Sequence, residues 1–167
     1  MKIAGNKAPV GELYKIDPRS QKNIATIQKE VQPLAIALVR EAARIGITIK
    51  VISGTRTYAE QDALYAKGRT QPGNIVTRVE GGYSNHNFGI AFDIGIFENG
   101  RYVPESPKYK IVGKLGKSIG LEWGGDWEFV DEPHFQLRPD WARKLPNNEL
   151  VLAALRERVS QNRSLFS

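Results

Sequence analysis

The sequence predicts an α+β fold: a small, mostly antiparallel sheet flanked by helices, in one domain. Three observations point there. Helical stripes and short β-branched runs both occur, but they do not alternate regularly as in a doubly wound sheet. The clearest strand is followed by Asn99-Gly100, a tight-turn signal that favours a hairpin over a crossover. The length of 167 residues suits one core.

The elements follow in order. Residues 1–20 read as an extended lead-in, broken by Pro9, Gly11 and Pro18. Residues 21–145 form the core of the domain and 146–167 a C-terminal helix. Ile24, Ile27, Val31, Leu34, Leu38 and Ile45 recur at three- and four-residue steps, with Ala42 filling the gap. Pro33 inside that stripe predicts a kink or two abutting helices, and Gly46 ends it. ITIKVIS (47–53) is β-branched and reads as a strand. Thr57 and Glu60 form a capping box that opens a short helix to about Lys67. Residues 68–83 carry four glycines and a proline, which predicts a long loop, either folded over a substrate or slack. IAFDIGIF (90–97) is the best strand, and RYV is its hairpin partner. Ser106-Pro107 starts a helix with Val112, Leu115 and Ile119 inward, ended by Gly120. LEW (121–123) and HFQL (134–137) are short strands. Asn147 or Asn148 caps the last helix, with Leu150, Leu155 and Val159 packing on the body.

Composition excludes several classes. Apolar residues make up 41% and charged residues 25%, values of a folded chain rather than a disordered one. No apolar run is long enough to cross a bilayer, so membrane insertion is not expected. The N-terminus lacks an apolar stretch and cleavage site, which predicts synthesis in a cytoplasm without a signal peptide. The absence of cysteine removes disulfides, thiolate metal sites and thiol nucleophiles together. The net charge is +6 with a pI near 9.6, which favours a polyanionic partner. The scattered Lys and Arg form no basic helix, so nucleic acid is not the expected one.

Chemistry concentrates around two histidines, His86 and His134. If IAFDIGI is a strand, Ile90, Phe92, Ile94 and Ile96 share the core face. Asp93 then lies on the other face between Ala91 and Gly95, with space left for something to approach. The seven-residue step from His86 to Asp93 puts them on opposite faces of one straight strand, so Asn87 and Gly89 must permit a bend. Pro133 forces Glu132 out of helical geometry, which places Asp131 and His134 on an irregular turn entering a strand. Two histidines and one carboxylate are a standard ligand set for catalytic zinc, with a fourth position open to water. His86, Asp93 and His134 make the one such set with two histidines, and Asp131 or Glu132 is the candidate base. Trp123, Trp127 and Phe129 crowd the approach to Asp131, either as walls for a peptide or sugar or as core, Trp123 above all as core.

The stretch SNHNFGIAFD (84–93) resembles the S-x-H-x-x-G-x-A-x-D motif of the zinc D-alanyl-D-alanine carboxypeptidase and L-alanyl-D-glutamate endopeptidase family, which includes phage endolysins. Asp131-x-x-His134 is similar to the family's second motif, with Asp as in the endolysin branch. ISGTRTYAEQDALYAKGRT (52–70) is similar to its S-G-x-R-[ST] segment. The resemblance spans about residues 50–137.

The resemblance implies one Zn²⁺ per chain on His86, Asp93 and His134, with Asp131 as base and then proton donor. It implies that Arg56 polarises the scissile carbonyl and that Ser84 bonds substrate or supports a ligand. Gln61 and Tyr65, four residues apart on one helix face, line a groove or pack. Gln61 and Trp127 join Ser84 as candidate substrate contacts. The expected protein is a monomeric zinc peptidase of peptidoglycan stem peptides that reaches the wall after release from the cell. Its expected bond is L-alanyl-D-glutamate. The alternatives are D-alanyl-D-alanine carboxypeptidase action and a non-catalytic, zinc-containing wall-binding domain.

Overall fold

The computed structural model describes residues 13–167. Five helices, α1 (Pro18–Ile24), α2 (Gln32–Arg44), α3 (Tyr58–Ala66), α4 (Lys108–Ser118) and α5 (Asn148–Ser160), surround one five-stranded sheet. The strands are β1 (Thr48–Ser53), β2 (Ala91–Glu98), β3 (Arg101–Val103), β4 (Glu122–Trp123) and β5 (His134–Gln136). All pairings are antiparallel, in the order β1-β2-β5-β4, with β3 on β2. The α+β prediction holds. Asn99 and Gly100 both adopt positive φ, as a two-residue hairpin turn requires, and join β2 to β3.

The stripe over 24–45 is not one helix: Ile24 ends α1, Ile27 and Val31 lie on the link, and Leu34 and Leu38 sit in α2. Pro33 sits in the first turn of α2, where its missing N–H leaves nothing unpaired. Helix α1 begins at Pro18, inside the stretch read as lead-in, because Asp17 caps it through Ser20 N. Residues 1–12 of that lead-in lie outside the described residues. The main core lies between these helices, α4 and one sheet face; Leu38, Ile49, Phe92, Ile94, Ile96 and Phe135 are fully buried there. Phe92 and Phe135 stack across the β2–β5 pair with centroids 5.9 Å apart.

Helix α5 covers a second cluster containing Phe88, Ile90 and Ala142. Asn147 caps it, but its buried face is Val151, Leu152 and Leu155. Leu150 and Val159, predicted to pack, are exposed. The 3.6-residue period carries Leu150 to the far side of that face, and Val159 falls in the final turn, which the cluster does not reach.

Candidate metal centre and cleft

Residue pairing across the sheet builds half of the site. Asp93 on β2 lies directly opposite His134 on β5. The period-two alternation that buries Phe92 and Phe135 therefore turns Asp93 and His134 together to the other face. His86 arrives by a bend. Ser84 caps a 3-10 turn over Asn85–Phe88, and Gly89, at φ 68°, reverses the chain into β2. That left-handed residue resolves the odd spacing between His86 and Asp93. The two imidazoles end with centroids 5.0 Å apart.

Both rings aim at one atom. His86 Nε2 lies 3.3 Å and His134 Nδ1 3.4 Å from Asp93 Oδ1. The far nitrogen of each ring is already engaged: His86 Nδ1 with the Gly54 carbonyl at 2.9 Å, and His134 Nε2 with Gln136 Oε1 at 2.8 Å. A carbonyl accepts only, so the neutral tautomer that donates to Gly54 leaves Nε2 bare. The same reasoning bares His134 Nδ1, because Gln136 donates its own Nε2 to Glu122 and so turns Oε1 to the ring. Two lone pairs then face a carboxylate oxygen, which is unfavourable unless a cation lies between them. The spacing fits a metal. Ligands about 2.0–2.1 Å from a tetrahedral zinc stand about 3.3–3.4 Å apart. The three donor atoms lie within 4.8 Å of one another and are largely buried.

The surroundings tune these groups. In the metal-free protein burial pushes the Asp93 carboxyl up, but His86 and His134 together outweigh it and hold the group far below the usual range. Burial pushes His134 down, and its bonds to Asp93 and Gln136 override that and raise it. Asp131 lies on the turn between β4 and β5, its Oδ2 4.0 Å from His134 Nδ1 and its side chain 49% exposed. Partial burial and then the Asp93 charge push its carboxyl up, against the lowering pull of His134, His86 and Arg56. Gly124 makes this turn possible: its carbonyl accepts from Asp131 N at 2.9 Å, and a Cβ there would lie 2.4 Å from the Asp131 carbonyl.

These residues floor a cleft of about 510 Å³ that Arg56, Thr77, Ser84, Trp127, Phe129 and Asp131 also line. A bulge between Val51 and Ser53 redirects the end of β1, and Arg56 N then donates to the His86 carbonyl at 3.1 Å. Arg56 Nη2 reaches Asp93 Oδ2 at 3.3 Å. Trp127 packs its ring 4.7 Å from that of His134.

Three comparisons with known proteins place this geometry. A family model described as D-alanyl-D-alanine carboxypeptidase matches residues 77–137. The peptidoglycan L-alanyl-D-glutamate endopeptidase CwlK of Bacillus subtilis is 38% identical over 122 residues, covering 66% of this chain and 72% of CwlK. The chain belongs to the D-alanyl-D-alanine carboxypeptidase and L-alanyl-D-glutamate endopeptidase family. Within this peptidase family, the L-alanyl-D-glutamate peptidase of Listeria phage A118 is 32% identical, covering 71% of this chain and 40% of the phage protein. The L-Ala D-Glu endopeptidase ChiX of Serratia marcescens shares the fold, with a TM-score of 0.57 at 24% identity over 81% of this chain and 96% of ChiX.

In this family member the predicted residues separate by position. His86, Asp93 and His134 converge, and Asp131, Arg56, Ser84 and Trp127 line the same cleft. Glu132 does not line it; its carbonyl accepts from the Trp123 indole at 2.8 Å, and Trp123 belongs to the core. Gln61 is a correction. It is fully buried and makes its bonds inside the wall, to Arg56, Thr77 and Val79, so it presents nothing to a substrate. Tyr65 lies under the Arg69 guanidinium, 3.9 Å from its ring centroid. The space at Gly95 is also not an approach to Asp93: the Tyr102 ring fills it, 2.8 Å from where a Cβ would stand.

Sequence reasoning missed Gln136, which orients His134. The period-two row His134, Gln136, Arg138 along HFQLR held that signal. It also missed Asn85, whose Nδ2 donates to Gln136 Oε1 at 2.7 Å, and the role of the Gly54 carbonyl, although Gly54 itself lies in the S-G-x-R-[ST] segment.

Proposed function

We propose that this peptidase is a zinc-dependent endopeptidase of peptidoglycan stem peptides that cuts the L-alanyl-D-glutamate bond. The observation that carries the reading is the convergence of His86, Asp93 and His134 on one point beside Asp131, at the floor of an open cleft. Their donor set suits zinc: two neutral imidazoles with their far nitrogens bonded, and one carboxylate. When bound, zinc acidifies water to a pKa of about 7 and polarises a carbonyl.

The chain's own residues supply the rest. Asp131 accepts the proton of the attacking water and returns it to the leaving amine nitrogen. Its half-exposed carboxyl and its place on the cleft support that role over Glu132. Arg56 donates to the carbonyl oxygen as negative charge develops there, from a guanidinium held by Gln61 on one nitrogen and Asp93 on another. Ser84 holds the turn that carries His86 and lines the cleft. Trp127, 37% exposed, forms an apolar wall for the peptide.

Endopeptidase action is favoured over carboxypeptidase action by charge. A carboxypeptidase needs a cation for the terminal carboxylate. Among the described residues lining the cleft, the cations are Arg56 and Arg138. Arg56 is paired with Asp93, and Arg138 with Glu122 at 3.1 Å. The CwlK and phage relatives carry the same bond in their names. No helix among the described residues is long and apolar enough to cross a membrane, and we propose that the chain meets the wall after release from the cell. Mass spectrometry of digested peptidoglycan tests the bond. New free amino groups on D-glutamate are expected; loss of terminal D-alanine alone would refute the assignment.

A further inference from the structure

Gln61 has no solvent exposure, yet every polar atom of its side chain is used. Oε1 accepts from Arg56 Nη1 at 2.9 Å. Nε2 donates to Thr77 Oγ1 at 3.1 Å and to the Val79 carbonyl at 2.9 Å. The amide orientation is fixed by chemistry, because a carbonyl cannot donate and a guanidinium cannot accept. One buried amide thus joins the arginine on the cleft floor to the loop segment whose Thr77 and Val79 form its wall. The next residue of α3 adds a second tie: Asp62 Oδ1 accepts from Gly81 N at 2.7 Å. Helix α3 is therefore the common reference for both sides.

We propose that Gln61 is a positioning residue with two separable duties. Its Oε1 sets the reach of Arg56 toward the reacting carbonyl, and its Nε2 holds residues 77–79 as a wall for the peptide. The inference rests on the proposed peptidase reaction. Neither duty needs contact between Gln61 and substrate. A displacement of about 1 Å in a group that stabilises the transition state lowers turnover by up to about a hundredfold. A loosened wall weakens substrate binding and leaves the chemistry intact.

Two substitutions separate the duties. Gln61→Glu keeps an acceptor for Arg56 and replaces the donor to Val79 by a carboxylate oxygen, which the carbonyl repels. Gln61→Met removes both. Zinc-loaded protein is assayed on a purified muropeptide, with metal content and melting temperature measured alongside. Gln61→Glu is expected to raise KM and, because its carboxylate partly neutralises Arg56, to lower kcat by clearly less than Gln61→Met does. Gln61→Met is expected to lower kcat about ten- to a hundredfold and to raise KM as well. In an Arg56→Lys background, Gln61→Met should lower kcat by much less than it does in wild type, because the pair acts as one unit. Equal falls in kcat for both variants, or full additivity with Arg56→Lys, would overturn the proposal. If Gln61→Met does not fold, Gln61→Glu decides by the same KM-against-kcat split. A wild-type enzyme that leaves the muropeptide intact would refute the peptidase reading itself, a different result from any of these.

Discussion

The two halves of the metal centre are built differently. His86 sits on a short turn and is oriented by a main-chain carbonyl, that of Gly54. His134 sits on a strand and is oriented by a side chain, Gln136, which Asn85 and Glu122 hold in turn. The outcome is the same, one bare nitrogen aimed at Asp93 Oδ1, but the sensitivities differ. A backbone-held ligand changes only when the chain path changes. A side-chain-held ligand changes with a single amide.

Loss of either imidazole erases that difference and has the largest effect. His86→Ala and His134→Ala should each drop bound zinc from one per chain to near zero and bring peptidoglycan hydrolysis below detection, read by elemental analysis and turbidity loss. Retained metal in either variant would break the symmetry of the two halves. Asp131→Asn comes next. It should keep the metal and lower kcat by about 10²- to 10⁴-fold, the usual worth of a general base.

Gln136→Leu sharpens the contrast directly. It should weaken zinc affinity about 10- to 100-fold by freeing the His134 ring, measured by competition with a chelator. On the other half, the His86 ring is held by the Gly54 main-chain carbonyl, which no side-chain substitution removes. Only a chain-path change should disturb His86. A Cβ on Gly54 would lie 2.5 Å from the Asn23 carbonyl oxygen, so Gly54→Ala should cost about 1–3 kcal/mol of stability and lower zinc affinity along with it.

The smallest effect is electrostatic. In the metal-free protein the folded-state pKa of Asp131 is raised, by burial first and Asp93 second. A carboxyl raised in this way contributes stability below its unfolded pKa and loses it as pH rises through the folded value. Its charge is therefore unfavourable at neutral pH. Asp131→Asn should stabilise the metal-free protein at pH 7 by no more than about 1 kcal/mol, since half of the side chain stays in water. The gain should vanish at a pH low enough to protonate the wild-type group, as followed by thermal melts across pH.

The same contrast explains what was legible in the sequence. The candidate donor set was, because chemistry limits the choice: with two histidines and no cysteine, few such sets exist. Strand β2 was legible through its alternation, and α3 through Thr57 and Glu60, whose reciprocal bonds form. The supports were not. Gly54 stands in the S-G-x-R-[ST] segment, but it acts through a carbonyl, which every residue possesses, so the segment does not reveal that role. Glu122 reaches Gln136 across a strand pairing that local pattern does not specify. Gln61, four residues before Tyr65 on one helix face, fits either a groove or a packed position in the sequence, and its local pattern does not choose between them. Its burial depends on the 68–83 loop folding over it, a long-range contact without local periodicity. The inward face of α5 failed for a related reason: five large apolar side chains offered two phases, and only the Phe88–Ile90 surface selects between them.

If the proposal is right, both imidazoles and Asp93 share one ion. X-ray absorption at the zinc edge, on protein loaded with one equivalent, tests it most directly. Two imidazole nitrogens and oxygen donors at about 2.0–2.1 Å are expected, with one imidazole lost in each histidine variant. A wild-type spectrum with one imidazole or none would contradict it.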